Sequence, residues 1–181
     1  MNESKEPKLF EKSHPAGDFI LEWWQGLKDN KGDKAELRRC KNLQEVQISS
    51  AYQRCYRQLI KHFLQEQGSP SREQMAIIIG LAVHVEDNDS ERKADQSDSQ
   101  ATDFFGYQIG RGDKPKLSEL RFRRLLKIKD REKLYHFLVQ AIRILERKIN
   151  LLDVLSIAYF WGDSAKTNLA YKYYEKANLK K

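Results

Sequence analysis

Cysteine is scarce in this sequence. Cys40 and Cys55 are the only two among 181 residues, and they form neither a C-x-x-C pair nor the spacing of a zinc site. A disulfide framework and a thiol-ligated metal are therefore not expected, and we predict no cofactor and no metal site. A chain of this length can bury an apolar core without such cross-links. The scarcity of cysteine also suits a reducing, cytoplasmic location.

Long apolar runs are missing as well. The longest, residues 75–85, contains His84 and is about half the length of a bilayer span. The amino-terminal sequence MNESKEPK lacks the apolar stretch that is typical of a signal peptide. We therefore expect no association with a membrane.

Catalytic motifs are also missing. The four histidines are scattered and form no H-E-x-x-H pair, and neither cysteine lies in a recognised nucleophile motif. The glycines between residues 104 and 114 do not match a P-loop, which needs Lys followed by Ser or Thr after its last glycine. We therefore predict that the chain is not an enzyme and has no catalytic residues.

Basic residues, by contrast, are in excess. Lys and Arg number 33 against 26 Asp and Glu, which gives a formal net charge of +7. The excess is localised, because residues 104–150 hold thirteen basic and five acidic side chains, whereas residues 86–103 hold two basic and seven acidic ones. A localised positive charge indicates a polyanionic partner.

Apolar residues recur at helical spacing through most of the chain, and no strand-like alternation persists. The predicted fold is all-α, a helical bundle in two lobes with basic helix faces. Residues 86–103 carry no aliphatic side chain larger than Ala, which is typical of an exposed connector. The predicted organisation is a flexible N-terminal arm (1–16), an N-terminal helical lobe (17–85), an acidic connector (86–103) and a basic C-terminal helical lobe (104–181), unless the two lobes form one continuous domain.

Cap signals and apolar stripes place the individual helices. Asp18 is a predicted N-cap, and capping boxes are predicted at Asp33, Ser50 and Ser71. The box at Ser71 precedes residues 75–85, which are apolar nearly all round and so belong at the centre of a core. Further helices are predicted over 117–129, 131–149 and 151–160, and a last one is predicted after a cap at Asp163 or Ser164.

Basic residues at helical spacing lie on one side of these helices, where several cations bind a phosphate backbone without reading its sequence. In the N-terminal lobe these candidates are Lys34, Arg38, Arg54, Arg57 and Lys61. In the C-terminal lobe they are Lys116, Arg123, Arg124, Lys127, Arg143 and Arg147. The alternative is a solvated face with local ion pairs. For Arg121, which lies nearer the apolar side, a buried ion pair is the alternative.

The segment 104–114 is a different kind of candidate, because it combines aromatic residues, glycines and Arg111. Such a segment can stack on a base or wrap a phosphate. The alternative is that Phe104 and Phe105 anchor a loop to the core.

Four motifs follow one another along the chain. They are GDKAELRR at 32–39, FG-x-x-IG at 105–110, LSELRFRRLL at 117–126, and FW at 160–161 leading to AYKYY at 170–174. In this order and spacing, over residues 19–177, the chain resembles the CasB-type small subunit of the type I-E CRISPR interference complex Cascade.

The resemblance implies an all-helical, non-enzymatic subunit that occurs in more than one copy beside other Cascade subunits. It implies binding of crRNA, target DNA and the displaced strand in antiviral defence, without sequence preference. Its basic positions match Arg38, Arg39, Arg121, Arg123, Arg124 and Lys166 of this chain. Two alternatives are a generic helical nucleic-acid-binding regulatory protein and a structural adaptor that docks through its C-terminal aromatic helix.

Overall fold

A computed structural model describes residues 9–11, 13–63, 69–88, 104–112 and 114–177. Within these ranges the chain forms ten α-helices and one pair of two-residue strands, so the all-α prediction is confirmed. The elements are α1 (Pro15–Gly26), α2 (Lys31–Arg39), α3 (Leu43–Ile48), α4 (Ser50–Phe63), α5 (Arg72–Ala82), β1 (Asp87–Asn88), α6 (Phe105–Gly110), α7 (Glu119–Leu126), α8 (Arg131–Ile144), β2 (Lys148–Ile149), α9 (Leu151–Tyr159) and α10 (Asp163–Lys176). No helix in the described part of the chain is both long and apolar enough to cross a membrane.

The chain divides into two compact units, Met1–Val83 and His84–Lys181. Most of the predicted connector, residues 89–103, lies outside the described residues, and so do residues 1–8 of the predicted arm. Leu9 and Phe10, at the end of that arm, are buried, and Phe10 packs edge-on against Phe63. The described end of the arm therefore contributes to the core of the first unit, and the domain bounds themselves stay a prediction.

Helix α5 forms the buried centre of the first unit. All its residues from Met75 to Ala82 are buried, as the apolar sequence predicts. The capping box at Ser71 is also confirmed, because the Ser71 hydroxyl accepts the Gln74 backbone N–H and the Gln74 side chain accepts the Ser71 N–H. Leu37, Val46 and Leu59 complete this core from α2, α3 and α4.

Helix α4 begins at Ser50 as predicted, although the Ser49 hydroxyl caps it by accepting the Tyr52 N–H at 3.2 Å. The predicted starts of α1 and α2 are wrong. Helix α1 begins at Pro15 with His14 as its N-cap, and α2 begins at Lys31 with Asn30 accepting the Asp33 N–H at 3.1 Å. The Glu36 carboxylate, expected to close a box with Asp33, accepts instead the N–H of Ser50 at 2.8 Å. Two helices are joined by this contact, and α3 between them was not predicted.

In the second unit, α6 and α10 pack at very short range. A Cβ atom added to Gly106 would lie 2.6 Å from Lys172 Cβ, and one added to Gly110 would lie 2.5 Å from the carbonyl oxygen of Tyr173. The glycines that suggest a flexible segment in the sequence are therefore helical packing positions. Phe105 is fully buried and anchors this helix, whereas Phe104 is 37% exposed, so the anchoring role that one sequence interpretation gave to both residues holds for Phe105.

Tyr173 and Asp153 extend this packing. Tyr173 stacks on Phe122 with ring centroids 3.8 Å apart, and its hydroxyl donates to the Leu117 carbonyl at 2.8 Å. On α9, the Asp153 carboxylate accepts the Phe105 backbone N–H at 2.7 Å. Burial raises the pKa of Asp153, although this N–H and the nearby Lys172 ammonium act in the opposite direction.

Helix α8 ends five residues before the predicted position 149. Glu146 and Arg147 take left-handed backbone angles, with φ of 55° and 62°, which stop the helix without the glycine that usually signals such a turn. The Arg147 N–H donates to the Ile142 carbonyl at 2.8 Å. The chain then continues into β2, which pairs in parallel with β1.

Candidate nucleic-acid interface

Helix α4 presents three predicted cations on its exposed side. Arg54, Arg57 and Lys61 are exposed, while Leu59 and Phe63 of the same helix are buried. Arg54 forms an ion pair with Asp33 of α2, and the hydrogen bond that Arg54 donates to that carboxylate raises the pKa of Arg54. Arg54 is therefore already paired within the first unit.

Helix α2 divides its cations between structure and surface. The Nε of Arg38 donates to the Val83 carbonyl at 2.7 Å, so this half-buried side chain ties α2 to the residue that follows α5. Lys34 is also half-buried, whereas Arg39 is exposed. Of these three predicted contacts, Arg39 has the geometry of a surface cation.

Helix α7 carries the densest group of predicted contacts. Phe122 and Leu125 are buried, and four cations elsewhere on the helix surface are exposed. These are Arg121, Arg123, Arg124 and Lys127. We call them the α7 cationic face. The alternative of a buried ion pair at Arg121 is wrong, because the side chain is exposed.

One acidic side chain of the same helix contacts this face. The Nε of Arg123 lies 3.1 Å from the Glu119 carboxylate, one helical turn earlier. The pKa of Arg123 is raised, first by a hydrogen bond with Tyr174 and then by the charge of Glu119. The pair is exposed, where such an ion pair contributes little to stability.

The remaining candidates of the second unit differ in their surroundings. Arg143 is exposed on α8, whereas Arg147 is half-buried and forms a 2.7 Å ion pair with Glu86. The Nζ of Lys166 lies 5.2 Å from the centroid of the Trp161 ring, where a cation–π attraction holds it. Arg147 and Lys166 thus have intramolecular partners that the sequence does not reveal.

Arg111 and Lys116 lie on one cleft together with a lysine that was not predicted as a contact, Lys148. Lys148 was missed because the sequence predicted that α8 would continue through it. The signal that could have found it is a basic residue directly after the polar sequence Glu146–Arg147 at the end of an apolar helix.

Chemistry other than binding has little support in the described residues. No group of three or more His, Cys, Asp or Glu side chains in this part of the chain could hold a metal ion. His84 is buried at 4% exposure, as expected of a core residue. Burial raises the pKa of the Cys55 thiol, which disfavours the reactive thiolate.

A comparison with protein families now bears on this basic helical surface. The family described as CRISPR-associated protein Cse2 matches residues 33–174. The chain belongs to this family. The match extends from α2 to α10 and confirms the resemblance to a CasB-type small subunit of type I-E Cascade. No curated protein and no solved structure gives a significant match to the chain.

Membership of the Cse2 family places the chain among the subunits of the CRISPR Cascade complex. The family is one of structural subunits, which fits the prediction that the chain is not an enzyme.

Proposed function

We propose that the chain is the non-catalytic small subunit of a type I-E Cascade, and that it holds nucleic-acid backbones without reading their sequence. Its ligands are crRNA, target DNA and the displaced strand of the R-loop. The observation that carries the proposal is the α7 cationic face, where four exposed cations share a helix with a buried apolar stripe.

This arrangement suits phosphates better than bases. Arg and Lys side chains neutralise phosphates and release condensed counterions, a contribution that is independent of sequence. Base readout instead needs side chains that reach base edges within a groove, or aromatic platforms on which bases stack. On α10, Tyr173 is buried, and Tyr174, although 39% exposed, packs edge-on against Phe122.

The same observation weighs against a structural adaptor that docks through α10. Tyr171, 76% exposed, is the aromatic side chain of α10 that projects furthest into solvent, while Tyr173 and Tyr174 both contact Phe122. A generic regulatory protein would share the basic faces, but it would discriminate between DNA sequences.

The test is the triple variant Arg123→Ala, Arg124→Ala, Lys127→Ala, assembled with the other Cascade subunits. Filter binding of target duplex is measured between roughly 50 and 200 mM salt, because affinity carried by phosphates falls steeply over that interval. Each lost contact lowers the magnitude of the salt slope by about one. The variant is expected to assemble, fold normally and hold target DNA less tightly.

The matched control is Lys28→Ala, Lys31→Ala, Lys41→Ala, which removes the same charge from exposed positions of the first unit outside the predicted set. Its salt slope should stay near that of the parent. Equal slopes for the parent and the α7 variant would contradict the proposal. Strong competition by one particular sequence would favour the regulatory alternative, and affinity independent of salt would favour the adaptor.

A further inference from the structure

A cleft of about 340 Å³ opens in the second unit where α6 and α8 end. Its walls come from two segments that are far apart in the sequence. They are Gln108, Arg111, Gly112 and Lys116 on one side, and Ile144, Leu145, Glu146 and Lys148 on the other. Three of these eight residues are basic and one is acidic. The volume lies within the range of small-molecule sites in proteins, so the cleft can accept one compact group.

The chemistry of the cleft has two parts. Arg111, Lys116 and Lys148 are exposed, so their charges are available to an anion at the rim. Ile144 and Leu145 are half-buried and give the cleft an apolar wall. A ligand that matches both parts has an anionic group joined to a flat or apolar one, which is the composition of a nucleotide.

Internal bonds hold both walls in place. On the first side, the Leu117 N–H donates to the Ile109 carbonyl at 3.0 Å, which ties the residue after Lys116 to α6. On the second side, the pairing of β2 with β1 fixes the backbone of Lys148. A site built in this way loses little conformational freedom when it binds.

We propose that this cleft binds one nucleotide unit of a single strand, with its phosphate on Arg111, Lys116 and Lys148 and its base or sugar against Ile144 and Leu145. The assignment rests on the proposed function and names a site within it. A single strand is favoured over a duplex because a paired and stacked base cannot leave the helix without a cost in unstacking and unpairing. An unpaired base enters a concave site freely.

The first experiment uses the full chain and a fluorescently labelled single strand, with a hairpin duplex of the same sequence for comparison. The variant Lys148→Ala is expected to weaken binding of the single strand several-fold and to lower the magnitude of its salt slope by about 0.7. Binding of the hairpin should change little. The matched control is Lys133→Ala, which removes an exposed lysine of α8 that does not line the cleft.

The second experiment locates the base directly. A single strand that carries 4-thiothymidine is photo-crosslinked to the full chain, and the crosslinked peptides are identified by mass spectrometry. Crosslinks are expected within residues 108–116 and 144–148. Crosslinks confined to other peptides would overturn the assignment even when the strand binds with a normal salt slope, so the cleft and the wider proposal fail separately. An absence of salt-dependent binding would overturn both.

Free mononucleotide distinguishes a strand from a small ligand. Because one phosphate contact supplies little affinity, mononucleotide should compete with the strand only weakly. Competition at micromolar concentration would overturn the assignment to a strand, since the cleft would then be a site for free nucleotides.

Discussion

Replacement of Gly110 by alanine tests the close packing of α6 on α10. The added Cβ would lie 2.5 Å from the Tyr173 carbonyl oxygen and 3.3 Å from the Tyr173 Cα. An ordinary contact needs at least 3.4 Å, so the two backbones must separate by roughly 1 Å. A gap of this size loses a quarter to a half of the dispersion energy of each contact that it opens. The atoms that the new methyl group meets are backbone, which cannot rotate away as the end of a flexible side chain would.

The magnitude follows from two opposing effects. Overpacking of a tight core costs about 1–3 kcal/mol. Alanine offsets part of this cost, because it restricts the conformations of the unfolded chain and so stabilises the folded state by about 0.4–1 kcal/mol relative to glycine. The net expectation is a loss of about 1–2 kcal/mol in the free energy of unfolding. For a chain of this size that corresponds to a decrease of about 2–8 °C in the midpoint of thermal unfolding.

The assay is thermal unfolding followed by circular dichroism, with Gly26→Ala as the control. Gly26 is the last residue of α1, and an added Cβ there would meet nothing within 4 Å. Gly26→Ala should therefore leave the midpoint unchanged or raise it. The reasoning is refuted if Gly110→Ala unfolds at or above the midpoint of the parent, because the short distance between α6 and α10 would then carry no energy.

Two further predictions concern single side chains. Ser71→Ala removes the hydroxyl that caps α5 and should lower the free energy of unfolding in urea by about 1 kcal/mol. The control Ser118→Ala should change it very little, because the Ser118 side chain makes no cap hydrogen bond. Equal losses in the two variants would contradict this prediction. Burial raises the pKa of Asp153 above its value in the unfolded chain. The folded chain therefore binds the carboxyl proton more tightly than the unfolded chain does. As the pH rises through the interval between the two pKa values, the contribution of Asp153 to stability decreases. In urea unfolding at several pH values, the free energy of unfolding of Asp153→Asn should rise relative to that of the parent from about pH 4 upwards. A difference that does not change with pH would contradict a raised pKa at Asp153.

The sequence predicts the helices better than their ends. Asp33, Ser50 and Ser71 carry the same box signal, yet only Ser71 forms the box. The Glu36 carboxylate, which the signal at Asp33 requires, is used fourteen residues away by Ser50. A local motif thus competes with tertiary partners for the same carboxylate, and no property of the motif itself decides the outcome.

The end of α8 illustrates a second limit. The apolar stripe of this helix continues to Ile149, and no Gly or Pro interrupts it. The helix nevertheless stops at Ile144, because Glu146 and Arg147 adopt left-handed angles that non-glycine residues rarely take. Their backbone is held by partners that the sequence places far away, such as Glu86 and Asp87, whose N–H groups donate to the Arg147 carbonyl.

In the candidate interface, too, local sequence predicts some features and distant residues determine the others. Helical spacing alone correctly predicts the exposure of Arg123, Arg124 and Lys127, because one buried stripe fixes the opposite side of a helix. It places Arg121 nearer the apolar side, although that side chain is exposed. It does not predict that Arg38 binds the Val83 carbonyl or that Arg54 pairs with Asp33. These two contacts join residues that are separated by 45 and 21 positions in the sequence. Over such separations, helical periodicity carries no information.

These contacts also determine how much each cation can contribute to binding. A phosphate that recruits Arg54 or Arg147 must compete with a carboxylate already in place, so part of the new attraction replaces an existing one and fewer counterions are released. Arg38 is held by a carbonyl, and its replacement would leave that acceptor without the bond. Substitutions at these three positions therefore change folding and binding together. Arg121, Arg124 and Lys127 are instead exposed, so their removal subtracts charge while the packing of Phe122 and Leu125 stays in place. Cations of this second kind give the salt slope that best counts phosphate contacts. In the α7 triple variant, Arg124 and Lys127 are of this kind, whereas Arg123 already pairs with Glu119, so the loss at Arg124 and Lys127 provides the decisive part of the measurement.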